Sequence, residues 1–290
     1  MGPGSDSEPI NIKFGKLHMY LVDSSQFGFE PLLSKQLRAL YCYLPSMRGE
    51  NPDNRHLNQF FHCEMEMIGT LDGLLPIIEN YIQILCEAIL VMPHVVERIS
   101  KNPSRTKSVL KNIINAKNFP KITFDEAVKL LVKNGKNNKN ILKINKHGRY
   151  IKSKGEIELL KILQTETPVW LTYFDRDTVP FYQKPLANNK EKAINADLIF
   201  LPLTNDAFGG EIVGSGQRQN NPDKIYESLQ RQKINSKNYE WYVDIRRSRN
   251  YKTTSGFGFG IERFIAWALG KENIRDVALY PRLKNVRMYP

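Results

Sequence analysis

Along residues 60–67 every second position is apolar (Phe61, Cys63, Met65, Met67), while the positions between hold Phe60, His62, Glu64 and Glu66. A period of two predicts a strand, and its second face is too polar to be plain core. Residues 10–22 also read as strand. Residues 30–43 read as an amphipathic helix followed by a short strand, and 48–56, crowded with Gly, Asn, Pro and Asp, as a turn. Helical spacing of apolar residues predicts helices over 74–92 and 124–132, the second capped by Thr123. A basic loop follows, then a helix over 153–163, strands over 169–174, 196–202 and 210–213, and a helix over 223–232. Gly256, Gly258 and Gly260 punctuate a last strand that passes straight into a helix with Ile261, Phe264, Ile265 and Ala268 on one side, stopped by Gly270. Strands arrive in hairpin-like pairs rather than in strict alternation with helices. The predicted class is therefore α+β, an antiparallel sheet with helices packed on it.

Composition narrows the class without changing it. Hydrophobic residues make up 41% and charged residues 25% of 290, which argues against a disordered, collagenous or coiled-coil chain. No run approaches the roughly 18 consecutive apolar residues of a membrane span, so a cytoplasmic protein without a membrane partner is expected. The cysteines, Cys42, Cys63 and Cys86, have neither disulfide nor metal-ligand spacing. Met1-Gly2-Pro3-Gly4-Ser5 resembles a cloning remnant and stays outside the fold argument. Charge is concentrated: residues 101–154 hold 15 Lys and Arg against Asp125 and Glu126, about +13 of the chain's net +12. Such a segment suits nucleic-acid phosphates, although nine Asn in the same stretch also fit a solvated loop of biased composition.

Arg263 falls in the first turn of the last predicted helix, where the backbone dipole is positive and disfavours a cation. A bound anion would reverse that penalty, as would an ion pair with a neighbouring carboxylate.

Residues 256–282, GFGFGIERFIAWALG followed by NIRDVALYPR, resemble motif 3 of class II aminoacyl-tRNA synthetases of the aspartyl and asparaginyl subgroup. Residues 47–67, MRGENPDNRHLNQFFHCEMEM, are similar to motif 2, and GGEIVGSGQRQ at 209–219 to the subgroup's amino-acid and metal segment. PVWLTYFDRDTVPFYQK at 168–184 and EWYVDIRR at 240–247 match in order. The resemblance implies a class II synthetase catalytic domain over residues 6–290, with ATP and Mg²⁺ as cofactors. It implies that Arg48 holds the α-phosphate, Glu50 the adenine amine and Phe60 the adenine face. His56 and Arg263 would meet the outer phosphates, and Glu211, with Asp197, would bind magnesium. Ser25, Gln26, Glu64 and Arg218 would frame the amino acid.

Where the aspartyl branch places a lysine three residues after the glutamine, this chain has Phe29, followed by Glu30. A Glu30 acceptor opposite an Arg218 donor suits an amide and repels a carboxylate, so asparagine is expected over aspartate. The implied function is asparagine activation as an adenylate with release of pyrophosphate, then transfer to tRNA through the basic segment 101–154. Two alternatives accompany it: an ammonia-dependent asparagine synthetase using aspartyl-adenylate, and a non-catalytic regulator. Departures from the pattern are Gln59 for a glutamate, Thr253-Thr254 for Pro-His and a shortened motif 2 loop. A homodimer is expected of the family, but neither motif 1 nor an anticodon-binding domain is found in the sequence.

Overall fold

The computed structural model describes residues 7–35 and 37–287. The Met1–Ser5 stretch, Gln36 and residues 288–290 lie outside them. The first elements are the hairpin strands β1 (Asn11–Phe14) and β2 (Leu17–Tyr20), then α1 (Gln26–Leu33), β3 (Ala39–Met47) and β4 (Gln59–Ile68). The single strand predicted over 10–22 is thus folded back on itself, because Gly15 takes a left-handed φ of +62°. Of the helix and short strand predicted over 30–43, the helix lies earlier, at Gln26–Leu33, and the strand is longer, running from Ala39 to Met47.

Next come α2 (Leu71–Leu90), α3 (Pro93–Ile99), α4 (Pro103–Asn115), β5 (Lys121–Thr123), α5 (Phe124–Lys133), β6 (Leu142–Asn145), β7 (Gly148–Ile151) and α6 (Ser153–Leu163). Thr123 caps α5 through a full capping box with Glu126, as its position suggested. Helices α3 and α4 and the β6–β7 hairpin were not legible in the pattern. Strands β8 (Val169–Thr172), β9 (Pro185–Leu186), β10 (Asn189–Ala193), β11 (Asn195–Phe200) and β12 (Gly210–Gln217) precede α7 (Pro222–Arg231), α8 (Glu240–Arg247), β13 (Thr254–Gly260) and α9 (Ile261–Ala268).

The main sheet runs β3-β4-β13-β12-β11-β8-β5, antiparallel except for the β5–β8 edge. Below it, Leu74, Ile78, Ile82 and Cys86 of α2 pack with Phe257, Phe259, Phe264 and Trp267. Each such buried side chain contributes about 1.5–3 kcal/mol. Among the described residues α2 is the one helix long and apolar enough to cross a membrane by length and composition. Here it is the core helix, and its buried Glu79 accepts a 2.7 Å bond from Trp170 Nε1. A second cluster joins α5 and α6 to Val169, Leu171 and Ile199, and a third, largely aromatic, joins Phe27 of α1 to Tyr242 of α8 at 4.8 Å.

Candidate active site

The upper face of the sheet is paved with glycine. Register pairs Gly256, Gly258 and Gly260 of β13 with Glu66, Glu64 and His62 of β4, and pairs Gly256 and Gly258 with Gly216 and Gly214 of β12. Since paired residues project to one face, the glycines clear the space that the β4 carboxylates and their neighbours fill. A Cβ at Gly256 would stand 1.9 Å from Glu66 Oε2. Above this floor lies a cavity of about 570 Å³. The polar face of β4 faces into it, so Glu64 and Glu66 are buried while Phe61 of the supposed apolar face is 45% exposed.

At one end of the cavity Glu64 accepts hydrogen bonds from Ser24 Oγ at 2.8 Å and from Ser25 N at 2.6 Å, fixing the loop that carries Gln26. Glu66 and Arg218 form a buried bidentate pair, Nε–Oε1 3.0 Å and Nη2–Oε2 2.8 Å. Burial raises the Glu66 carboxyl above its ordinary value despite the opposing pull of Arg218.

At the other end the Arg48 guanidinium lies 5.5 Å from the Phe60 ring centroid, and its buried Nε has no partner among the described residues. Glu50 accepts from Glu8 N at 2.9 Å, and half-exposed His56 pairs with Asp53 at 2.8 Å. Arg263 reaches Glu211 at 3.1 Å, so its helix position is balanced by a carboxylate. Burial pushes the Glu211 carboxyl up, but Arg263 and Arg55 overcome this and hold it below the usual range. Burial, followed by Glu211 and Glu156, drives Asp197 well above it. His62 is forced down to about 3, chiefly by burial and then by Arg48 and Arg263, and is neutral near pH 7.

Asp197 sits opposite Gly214 in the β11–β12 register, and a Cβ at Gly214 would lie 3.5 Å from Glu211 Oε1 and 3.7 Å from Asp197 Oδ1. Two carboxylates converging in this way, one of them pushed toward its neutral form first by burial and then by the other, fit a hard divalent cation. Among the described residues no group of three or more His, Cys, Asp or Glu could hold a metal. A cation here would complete its shell with ligand oxygens.

The cavity therefore gathers all the residues singled out by sequence except Ser25, which supports Glu64, and Glu30. Glu30 lies behind the wall with a fully buried side chain, ion-paired to Arg246 and accepting from Tyr242 Oη at 2.6 Å. Its Oε1 lies 3.4 Å from Nε2 of Gln26, which lines the cavity, and its charge acts on Glu66 and Arg218. Sequence reasoning missed three participants. Arg55 lies 4.3 Å from the Phe208 ring centroid beside Glu211, and its signal was adjacency to His56. Glu156 accepts from Glu211 N at 3.0 Å and is raised to about 7, first by burial; nothing in α6 announced it. Arg246, inside the quoted EWYVDIRR, carried no assigned role.

A glycine-floored antiparallel sheet with arginines at one end and a carboxylate–arginine pair at the other is the class of domain that the motifs implied. The chain belongs to the class II tRNA synthetases of the D, K and N type, matching them over residues 5–284. It is 28% identical over 272 residues to the asparagine–tRNA ligase of Mycoplasma genitalium, covering 91% of this chain and 57% of that protein. With the probable cytoplasmic asparagine–tRNA ligase of Encephalitozoon cuniculi it shares 30% over 275 residues, covering 91% and 56%. Among solved structures, asparaginyl-tRNA synthetase from Pyrococcus horikoshii complexed with asparaginyl-adenylate matches with a TM-score of 0.85 at 27% identity, over 100% of this chain and 62% of that one. The chain thus spans about six tenths of the length of these relatives.

Proposed function

We propose that this cavity activates asparagine with ATP and passes the aminoacyl group to tRNA in the cytoplasm. The observation that carries the proposal is the joining, in one cavity, of the Glu66–Arg218 end and the Arg48–Phe60–Arg263 end. Adenine would stack on Phe60 with Glu50 at its amine. Arg48, its Nε unpartnered, would meet the α-phosphate, and Arg263 and His56 the outer phosphates. The asparagine α-carboxylate oxygen then forms a bond to the α-phosphorus as the bond to the β-phosphate oxygen breaks and pyrophosphate leaves. The attacking carboxylate is already ionised and needs no general base. Positioning and neutralisation of charge on the phosphoryl oxygens supply the catalysis. Glu211 and Asp197 would hold Mg²⁺, which supplies further neutralisation of phosphate charge when bound. Arg263 would exchange Glu211 for phosphate.

Pairing of two copies belongs to the same proposal. Edge strand β3 leaves Tyr41 and Tyr43 exposed, 73% and 57%, as a covered interface would require. The deciding experiment is ATP–pyrophosphate exchange over a panel of amino acids, followed by charging of tRNA. Exchange with asparagine is expected; exchange with aspartate alone would favour the ammonia-dependent synthetase, and none with any amino acid the regulator.

A further inference from the structure

We propose that Gln183 is a specificity-determining residue for the amino acid, its side-chain oxygen accepting a hydrogen bond from the carboxamide N–H of asparagine; the inference rests on the function proposed above. Gln183 lies on the cavity wall, is only 9% exposed, and its Oε1 is buried with no hydrogen-bond partner among the described residues. A buried acceptor left unpaired costs about 1–3 kcal/mol, so its retention points to a donor that arrives with a ligand.

Position identifies the donor. Gln183 and Arg218 form an isolated antiparallel bridge, flanked by Lys184 N to Gln217 O and Gln219 N to Tyr182 O, both 2.8 Å. Directly opposed residues project to the same side, and both side chains line the cavity. Arg218 spends Nε and Nη2 on Glu66, and Nη1 takes no part in those bonds. The wall thus sets the Arg218 guanidinium, a donor, beside the Gln183 amide oxygen, an acceptor, which is the complement of a primary amide. Glu66 already balances the Arg218 charge, so an aspartate carboxylate would enter as an uncompensated buried anion. Glu30, the acceptor expected from sequence, is occupied by Arg246 and Tyr242. Gly216 is part of the device, because a Cβ there would stand 2.0 Å from Gln183 Oε1.

The test compares asparagine with aspartate β-methyl ester, which keeps the carbonyl but lacks the N–H donor, in pyrophosphate exchange. The wild-type KM should be about tenfold lower for asparagine than for the ester, the worth of one hydrogen bond. Gln183→Met should bring the two within about twofold by raising the asparagine KM, with the KM for ATP unchanged. Gly216→Ala, which displaces the same oxygen, should do likewise and decides the matter if the first variant does not fold. A wild type that does not separate amide from ester, or a preference that survives in the folded variant, would overturn the role of Gln183 and leave asparagine activation standing. Absence of exchange with asparagine in the wild type would instead overturn the proposed function, and this inference with it.

Discussion

Arg263 is a cation in the first turn of a helix, paired with Glu211, a partner that the proposed function would have it release for phosphate. Replacing it with Ala should leave the fold intact, because the side chain lies on the cavity side of α9. Loss of one charge-assisted phosphate contact should weaken ATP binding by about 1.5–3 kcal/mol, measurable by calorimetry with ATP. Unchanged affinity would mean that the Glu211 pair is purely structural. His62 gives a second residue-scale expectation. Its folded pKa, about 3, lies below the value near 6.5 of an unfolded histidine. Unfolded chains therefore bind the extra proton between these values, so the stabilisation is fully present above about pH 6.5 and is lost progressively as pH falls toward 3. Urea unfolding at pH 7 and pH 4.5 should show a smaller difference for His62→Gln than for the wild type.

Elements hold these residues in place by local chemistry that can be tested singly. Thr123 Oγ1 accepts from Glu126 N at 3.2 Å while Glu126 Oε2 accepts from Thr123 N at 2.9 Å. Thr123→Ala should cost about 1 kcal/mol, read as a lower thermal midpoint. The β6–β7 hairpin contributes Tyr150 and Ile151 to the cavity rim, and a mixed ion cluster anchors it. Arg149 reaches Asp175 at 2.6 Å and Asp125 at 2.5 Å, and buried Lys192 meets the same two carboxylates at 2.7 and 2.6 Å. Arg149→Leu should speed amide hydrogen exchange across residues 142–151 well before it affects β11 or β12. Equal acceleration everywhere would count against a local tether.

For the molecule as a whole, the basic segment looks different folded than counted. Lys101, Arg105, Lys107, Lys136 and Arg149 pair with acids outside it, Glu272, Glu166, Glu97, Glu158 and Asp175. Lys139, Lys143 and Lys146, in or beside the β6–β7 hairpin, have no carboxylate partner among the ion pairs of the described residues. If they meet tRNA, log affinity should fall with log salt by roughly 0.7–0.9 per contact, and changing all three to Gln should flatten that slope. Binding that keeps its slope in the triple variant would place the RNA elsewhere. The sequence by itself determined the strands of the main sheet other than β5, and α2, α5, α6, α7 and α9, because period and capping are local properties. Nearly every candidate residue that its ordered motifs marked lines the cavity. It did not determine α3, α4, the hairpin at Gly15, or the fate of Glu30. That carboxylate and Arg246 are 216 positions apart, and no local pattern reports which of two buried cations a carboxylate will meet. The same is true of Gln183, whose unpaired oxygen becomes visible only when β12 is laid beside it. Tertiary structure decided these points, because burial removes water as the default partner and forces each polar group to find whatever the packing brings near.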